Sequence, residues 1–359
     1  MRRALAIAAG VLLALLCAAS LLPLAETDAW WVRYLDFPRL QIAVLLVIFW
    51  IAMVALGGIG HGAARWLTVL AIAALAYHGW RLWPYQPLAT KMDPGLATCA
   101  PEERLSVLVA NVQRKNHQSE EVIALAREQD PDLFFVLETD GWWDEALAPL
   151  DADYAHHVQD IPREATYYGM HVFSRHPFDS AEMRFPYGAD TPLFDGVLAH
   201  PAGKLRVFGV HPRPPQMGQP STLRDATMLE AAMGARDDIH PALLAGDFNA
   251  TPWERTSRRS LRLGRLIDPR AGRGPMVSFD ANSWWMKWPL DQILWQQGLA
   301  MSRFEVLPGI GSDHYPVLAE LCFTVNADQR ILTANDRDLE EARTTFDKAR
   351  ALSDAAMDG

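Results

Sequence analysis

The chain is expected to fold as an α/β domain preceded by an apolar helical region, and three observations carry that expectation. Its first 99 residues contain long runs with no charge, whereas residues beyond about 100 alternate short apolar runs with polar segments. Those later apolar runs have the length of β-strands, with helix-like segments between them, a pattern that argues α/β or α+β rather than all-β. Two polar clusters, Gly246-Asp247-Phe248-Asn249-Ala250-Thr251-Pro252-Trp253 and Gly311-Ser312-Asp313-His314-Tyr315-Pro316, each adjoin such a run. The end of a strand is where a rigid scaffold holds reacting groups.

Residues 1–83 read as a transmembrane region of about three helices, roughly 4–25, 40–60 and 66–83. Ala4 to Ala25 and Leu40 to Ala64 are free of charge, and the glycines at 57, 58 and 60 mark a turn. Each of these runs can span a bilayer by length. The third run, Trp66 to Trp80, needs Arg81 to snorkel and Leu82-Trp83 to extend it. Tryptophans at 30, 31, 50, 66, 80 and 83 fall near the span ends, as interfacial aromatic belts do. The alternative is a signal peptide followed by a buried helical hairpin. Met1-Arg2-Arg3 and Pro23-Leu24-Ala25 suit a signal peptide, but the apolar stretch exceeds the roughly 7–15 residues of a signal core. Three spans starting inside, or two starting outside, both leave the C-terminal domain outside the cytoplasm. The expectation is therefore a multi-pass protein of the cell (inner or plasma) membrane with an extracytoplasmic catalytic domain. The basic residues do not decide orientation, with Arg2, Arg3 and Arg65 on one side and Arg33, Arg39 and Arg81 on the other.

Residues 84–103, with Gly95 and four prolines from Pro84 to Pro101, read as a linker. The domain at 104–325 then alternates. Strands are expected at Leu105–Asn111, Asp132–Thr139, Gly169–Ser174, Gly196–His200, Lys204–His211, Pro241–Asn249, Asp291–Trp295 and Pro316–Phe323. Helices are expected at Ser119–Gln129, with Ser119 as its cap, and at Thr222–Ile239, opened by Thr222 and Asp225. The tail, 326–359, has few large apolar residues and no convincing packing face, so it is read as mobile.

Charge narrows the substrate. The net charge of −10 is uneven: residues 1–99 carry seven basic against four acidic residues, while 100–325 carry 21 against 31. An acidic domain is poorly suited to gripping long nucleic acid, whose non-specific affinity comes from phosphate neutralisation by basic side chains. Of the three cysteines, Cys17 lies in an apolar run and reads as a small buried hydrophobe.

Hydrolysing a phosphate ester requires neutralising the phosphoryl oxygens, aligning a water and assisting the leaving oxygen. The chain offers residues for each task. Asn111 and Glu138 end apolar runs, and a carboxylate closing a buried strand is costly unless it meets solvent or a cation. His211 ends the run Phe208-Gly-Val and is suited to hydrogen-bonding a scissile phosphate. Asp247 is suited to orienting or deprotonating the attacking water, and Asn249 to donating to phosphoryl oxygens. Asp291 starts a strand, and Asp313 and His314 add a carboxylate and an imidazole. Each has an ordinary alternative, a solvated strand end for Glu138 or a turn amide for Asn111. Taken in this order, Asp247/Asn249 with Ser312-Asp313-His314, supported by Asn111, Glu138 and Asp291, resemble the endonuclease/exonuclease/phosphatase family, over residues 104–323.

The resemblance implies a DNase I-like, four-layer sandwich of two mixed β-sheets flanked by helices, with the site across one end. It implies hydrolysis of a phosphate bond with Mg²⁺, or Mn²⁺, held by Asn111, Glu138 and Asp313, and catalysis by Asp247, Asn249, His211, Asp291 and His314. Asp291 is expected to pair with His314, holding its tautomer and favouring its charged form. If the first and last strands pair antiparallel as in that family, Cys99 and Cys322 could meet in a disulfide; two unrelated thiols are the alternative. Departures are Gln292 where the family commonly has His, Gln113 where many of its nucleases have a carboxylate, and Asp140 where abasic-site nucleases have Lys. They weaken a DNA-repair reading. Tyr168 matches a tyrosine common near the family's site. Three spans before such a domain also resemble a bacterial membrane subgroup that includes glycopeptide-resistance phosphatases acting on a polyprenyl pyrophosphate.

The function expected is a membrane-anchored, Mg²⁺-dependent phosphoesterase whose partners are membrane lipids and a lipid-linked or small phosphorylated substrate; no protein partner is evident. An extracytoplasmic nuclease for DNA or RNA is the alternative. It would use the arginines at 255, 258, 259, 262, 265, 270 and 273 for phosphate and the tryptophans at 284, 285, 288 and 295 for bases, although those tryptophans also suit a lipid interface or the core. A catalytically idle membrane scaffold is a third reading, opposed by the complete set of acid, amide and imidazole positions.

Overall fold

The computed structural model describes residues 1–57, 60–95, 98–162, 168–188, 190–324 and 328–357. The middle of the expected turn at 57–60, part of the linker and the start of the tail therefore lie outside the described residues. The chain forms two compact units, residues 1–86 with 215–221, and residues 87–214 with 222–359.

The first unit is helical: α1 (Arg2–Leu21), the short α2 (Trp30–Tyr34), α3 (Arg39–Leu56) and α4 (His61–Leu82). Ala9, Leu13 and Cys17 of α1 pack with Ile42, Leu46 and Met53 of α3 and with Ala71 and Ala74 of α4. The outward faces are apolar as well, with Val11, Leu15, Val44, Ile51 and Val54 all exposed. A helix apolar on every face wants an apolar surround. By length and composition two helices, Arg2–Leu24 and Arg39–Leu56, can cross a bilayer. The third expected span forms a helix, but Tyr77, His78 and Arg81 dilute its apolar character, and it is not among them.

In the second unit β1 (Arg104–Asn111), α5 (Ser119–Gln129), β2 (Leu133–Thr139), α6 (Gly141–Leu147), β3 (His156–Asp160) and β4 (Gly169–Ser174) come first. They are followed by β5 (Phe178–Arg184), β6 (Leu193–His200), β7 (Gly203–Val210), α7 (Thr222–Asp237), β8 (Ala242–Asp247) and α8 (Arg255–Leu263). The last elements are β9 (Asp291–Trp295), β10 (Gly298–Val306), β11 (Val317–Thr324) and α9 (Asp336–Met357). One sheet has six strands in the order β10-β11-β1-β2-β4-β3, and the other five in the order β5-β6-β7-β8-β9. Both are mixed: β1 with β2 and β7 with β8 run parallel, and β1 with β11 antiparallel. Gln118, rather than Ser119, caps α5.

Strand periodicity explains the layers. Val107 and Val109 of β1 face Leu243 and Ala245 of β8 in a core between the sheets. Their neighbours Leu108 and Ala110 point the other way, onto Val122 and Leu125 of α5. Likewise Ala242 and Leu244 meet Met228 and Ala232 of α7. Central strands buried on both faces read as continuous apolar runs, which is how they stand in the sequence. The result is helices, sheet, sheet, helices.

One expectation changes and one open pair of alternatives closes. The tail carries α9, which lays Ala342 against Leu229 and Leu263, and Phe346 with Ala349 against Tyr187 and Ala226. Its packing face is largely alanine, which is why composition concealed it. Cys99 and Cys322 form a disulfide with Cα atoms 5.9 Å apart, because β11 runs back along β1 and places Cys322 opposite Arg104.

Candidate active site

The strands β1, β2, β7 and β8 finish at one end of the two sheets, and β9 begins there. This brings Asn111, Glu138, His211, Asp247 and Asp291 together, and His314 joins them from the loop before β11. Asp247 Oδ2 is the hub. Asn111 Nδ2 donates to it at 3.2 Å and to Glu138 Oε1 at 3.1 Å. His314 Nε2 lies 3.7 Å and His211 Nε2 3.8 Å from the same oxygen. On the far side of its ring, His314 Nδ1 is 2.7 Å from Asp291 Oδ2.

Backbone conformation aims these groups. Gly246, at φ 143°, lies where an added Cβ would meet the Val210 carbonyl oxygen at 2.0 Å, so only glycine lets β8 stay paired with β7 before Asp247. Glu138 has φ 62° at an irregularity in the β2–β4 register, a bulge that re-aims one side chain. Asn249, at φ 47°, gives its N–H to Asp247 Oδ1 at 2.9 Å and its side-chain amide to the Pro212 carbonyl at 3.0 Å. It thereby ties the Asp247 loop to the His211 loop. Arg224, buried beneath, donates to the Asn249 carbonyl and to Glu254.

The environment separates the two histidines. Burial alone would lower His314, but the Asp291 and Asp247 charges and the Asp291 hydrogen bond outweigh it and push it up to about 10. His211, fully buried and only partly offset by Asp247, falls to about 4. One imidazole is a cation and the other neutral at neutral pH, a difference that fits them for different roles. Burial pushes Asp247 up against the lowering influence of His314. It also pushes Glu138 up to about 7, with Asn111 opposing.

Glu138 is where a cation fits. Its partners are the Asn111 amide and, at 3.3 Å, the Arg114 backbone N–H; no side-chain cation pairs with it among the described residues. A desolvated carboxylate so placed, 3.1 and 3.2 Å across one amide from a second carboxylate, suits a hard divalent ion with oxygen ligands. Asn111 would serve as a ligand beside Glu138 only after its amide turned over, since its Nδ2 now faces Glu138 and Asp247 while its Oδ1 accepts the Gln113 N–H. Asp247, Asp291 and His314 also stand close enough to grip one ion. A protonated His314 clamped to Asp291 offers no lone pair, however, so the Glu138 side is favoured. Asp313 sits beside them, half-buried: its carboxylate accepts a backbone N–H, lies 3.4 Å from Ser312 Oγ, and feels the charges of His314 and Asp247.

Several supporting residues escaped the sequence reading. Ser278 Oγ accepts the Asp291 N–H at 3.0 Å, and Phe279 lies 4.8 Å, ring to ring, from His314. Ser312 Oγ donates to the Asn111 carbonyl at 2.7 Å and accepts the His314 N–H at 3.0 Å, locking two motifs together. Nothing local marks Ser278 and Phe279 as special, and the motif that contains Ser312 does not show which groups its hydroxyl ties. Tyr168 lies near the site, 5.5 Å from His211 ring to ring, with the Arg213 guanidinium 5.7 Å from its ring centre. Gln292, in place of the common histidine, donates to the Ala250 carbonyl and accepts from Arg270. Three arginines of the rich stretch are tied structurally rather than offered to phosphate: Arg259 and Arg262 pair with Asp338 of α9, and Arg270 with Asp268. Trp288 and Trp295 are core residues.

The sequence profile of the endonuclease/exonuclease/phosphatase family matches residues 108–314. The chain belongs to this family. Its members hydrolyse phosphate esters and depend on divalent metal ions, and this chain is a phosphoesterase of that class. Comparison with the curated proteins finds no match. Among solved structures the fold is similar to humanized D. rerio TDP2 carrying 14 mutations (13% identity, TM-score 0.51, covering 61% of this chain and 99% of that one). It is also similar to D. rerio TDP2 complexed with a single-strand DNA product (14%, 0.51, 61% and 98%). A third is an endonuclease/exonuclease/phosphatase family protein from Bacteroides thetaiotaomicron (18%, 0.50, 63% and 98%). At these identities the likeness is one of fold.

Proposed function

We propose that the protein is a membrane-anchored, Mg²⁺-dependent phosphoesterase acting outside the cytoplasm on a lipid-linked or small phosphorylated substrate. The observation that carries the chemistry is the line Glu138–Asn111–Asp247–His314–Asp291, buried but for the half-buried Glu138, in which a cationic imidazole and a carboxylate without a paired side-chain cation among the described residues flank one central aspartate. A divalent ion held by Glu138, with Asn111 or Asp313 as further donors, would neutralise phosphoryl charge. Asp247 accepts a proton from, and orients, the attacking water. His314, kept charged by Asp291, and neutral His211, whose buried Nδ1 has no hydrogen-bond partner among the described residues, bind the phosphoryl oxygens. Asn249 adds an amide donor if it releases Pro212.

The two apolar helices able to span a bilayer support the anchor. The Cys99–Cys322 disulfide supports an oxidising compartment. The acidic charge of residues 100–325 disfavours the rival reading, a nuclease for DNA or RNA. The test is a substrate panel on purified, detergent-solubilised protein: polyprenyl pyrophosphate, phosphoinositide, plasmid DNA and RNA. Lipid dephosphorylation should dominate; plasmid nicking at far higher rates would overturn the substrate assignment while leaving the chemistry standing. A reporter fused after residue 325 tests orientation, and activity of one that works only in the cytoplasm would refute it.

A further inference from the structure

The catalytic unit holds seven tryptophans, and their burial divides by position. Trp143, Trp253, Trp288 and Trp295 are buried, whereas Trp142, Trp284 and Trp285 are 40%, 89% and 49% exposed. The exposed three lie at the end of the sheets that carries the catalytic cluster. Trp142 follows β2 at the start of α6, and Trp284 and Trp285 precede β9.

Trp284 and Trp285 occupy the tip of a pinned hairpin. Phe279 and Trp288 bridge at its base, the Phe279 N–H donating to the Trp288 carbonyl at 2.9 Å. Above it, Asp280 N–H donates to the Met286 carbonyl at 3.2 Å and Met286 N–H to Ser283 Oγ at 2.9 Å. The base continues into the site, since Phe279 also bridges His314. An indole held almost fully in water on a tied loop is apolar surface left uncovered. Tryptophan combines a broad apolar ring with one N–H, which suits the boundary between lipid and water.

We propose that the Trp284–Trp285 hairpin seats in the interfacial layer of a zwitterionic lipid surface and brings the mouth of the site to headgroup depth. This rests on the membrane reading above. Charge selects the occupant: residues 100–325 carry a net −10, which repels both nucleic acid and anionic lipid. The hairpin itself is balanced, with Asp280 against Lys287. Helices of the same chain that can enter a bilayer supply the surface. A phosphate carried on an amphiphile would then reach the site without leaving the interface.

The test uses the full-length chain in phosphatidylcholine nanodiscs, with an environment-sensitive fluorophore attached through Asn282→Cys. Cys17 is buried and Cys99 and Cys322 are bridged, so the label goes to the exposed hairpin. The expected result is blue-shifted emission that brominated phosphatidylcholine quenches, with both effects lost in the Trp284→Ser/Trp285→Ser background. Water-like, unquenched emission would overturn the proposal, as would a shift that the double substitution leaves unchanged. A label blind to lipid but responsive to single-stranded DNA would overturn it in favour of a base-stacking platform. The readout needs no substrate, so a failed hydrolysis assay strikes the phosphoesterase reading alone.

Discussion

His314 Nδ1 lies 2.7 Å from Asp291 Oδ2, and both side chains are buried. A buried imidazolium is stable only beside a counter-charge, so Asp291 determines the protonation state of the group that faces Asp247.

Asp291→Asn should therefore lower kcat on the order of 10²–10⁴-fold, the range typical of acid–base and charge-positioning groups, with circular dichroism unchanged. Because His314 is held up to about 10, its charge is present through neutral pH and is lost only as pH rises toward that value. Removing the Asp291 charge should shift the basic limb of the pH–rate profile to lower pH. An unmoved limb would separate activity from the His314 charge.

Glu138→Gln should separate stability from activity. Burial raises the Glu138 carboxyl to about 7, so the folded state binds its proton more tightly than the unfolded state does. Stability of the metal-free protein thus declines as pH rises from the ordinary carboxyl value toward 7. The amide should remove this decline, so that stability of the metal-free variant no longer falls between the ordinary carboxyl value and pH 8, while abolishing hydrolysis. Added Mg²⁺ should raise the melting temperature of the wild type and not of the variant.

Gly246→Ala should unfold the β7–β8 junction locally. The new Cβ would collide with the Val210 carbonyl at a φ that disfavours side chains, costing about 2–4 kcal/mol. Denaturant titration measures the loss, and activity should fall with it because Asp247 is the next residue.

Removing the disulfide with Cys99→Ala/Cys322→Ala should cost about 2–5 kcal/mol. The bridge sits where β1 begins and β11 ends, opposite the catalytic end, so kcat at permissive temperature should be unchanged. A drop in kcat without loss of stability would contradict this placement.

How much could be read from the chain follows from whether a residue's role is local. Asn111, Glu138, Asp247 and Asp291 were legible because each ends or starts an apolar run, where a polar side chain has an unusual place. The central strands were legible for the same reason. By contrast β3, whose residues alternate only partly buried and exposed, carries little apolar signal, and β5 resembles it. The role of Arg262 is not legible locally because its partner, Asp338, is 76 residues away. Ser278 and Phe279 act through one hydroxyl and one ring face, which no local pattern in the sequence marks.

The most direct test of the central claim is hydrolysis by the full-length protein before chelation, after it, and after Mg²⁺ is restored, beside Asp247→Asn. The account predicts activity that vanishes on chelation, returns with Mg²⁺, and never appears in the folded Asp247→Asn variant. Full activity in the chelated protein, or in that variant, would contradict it.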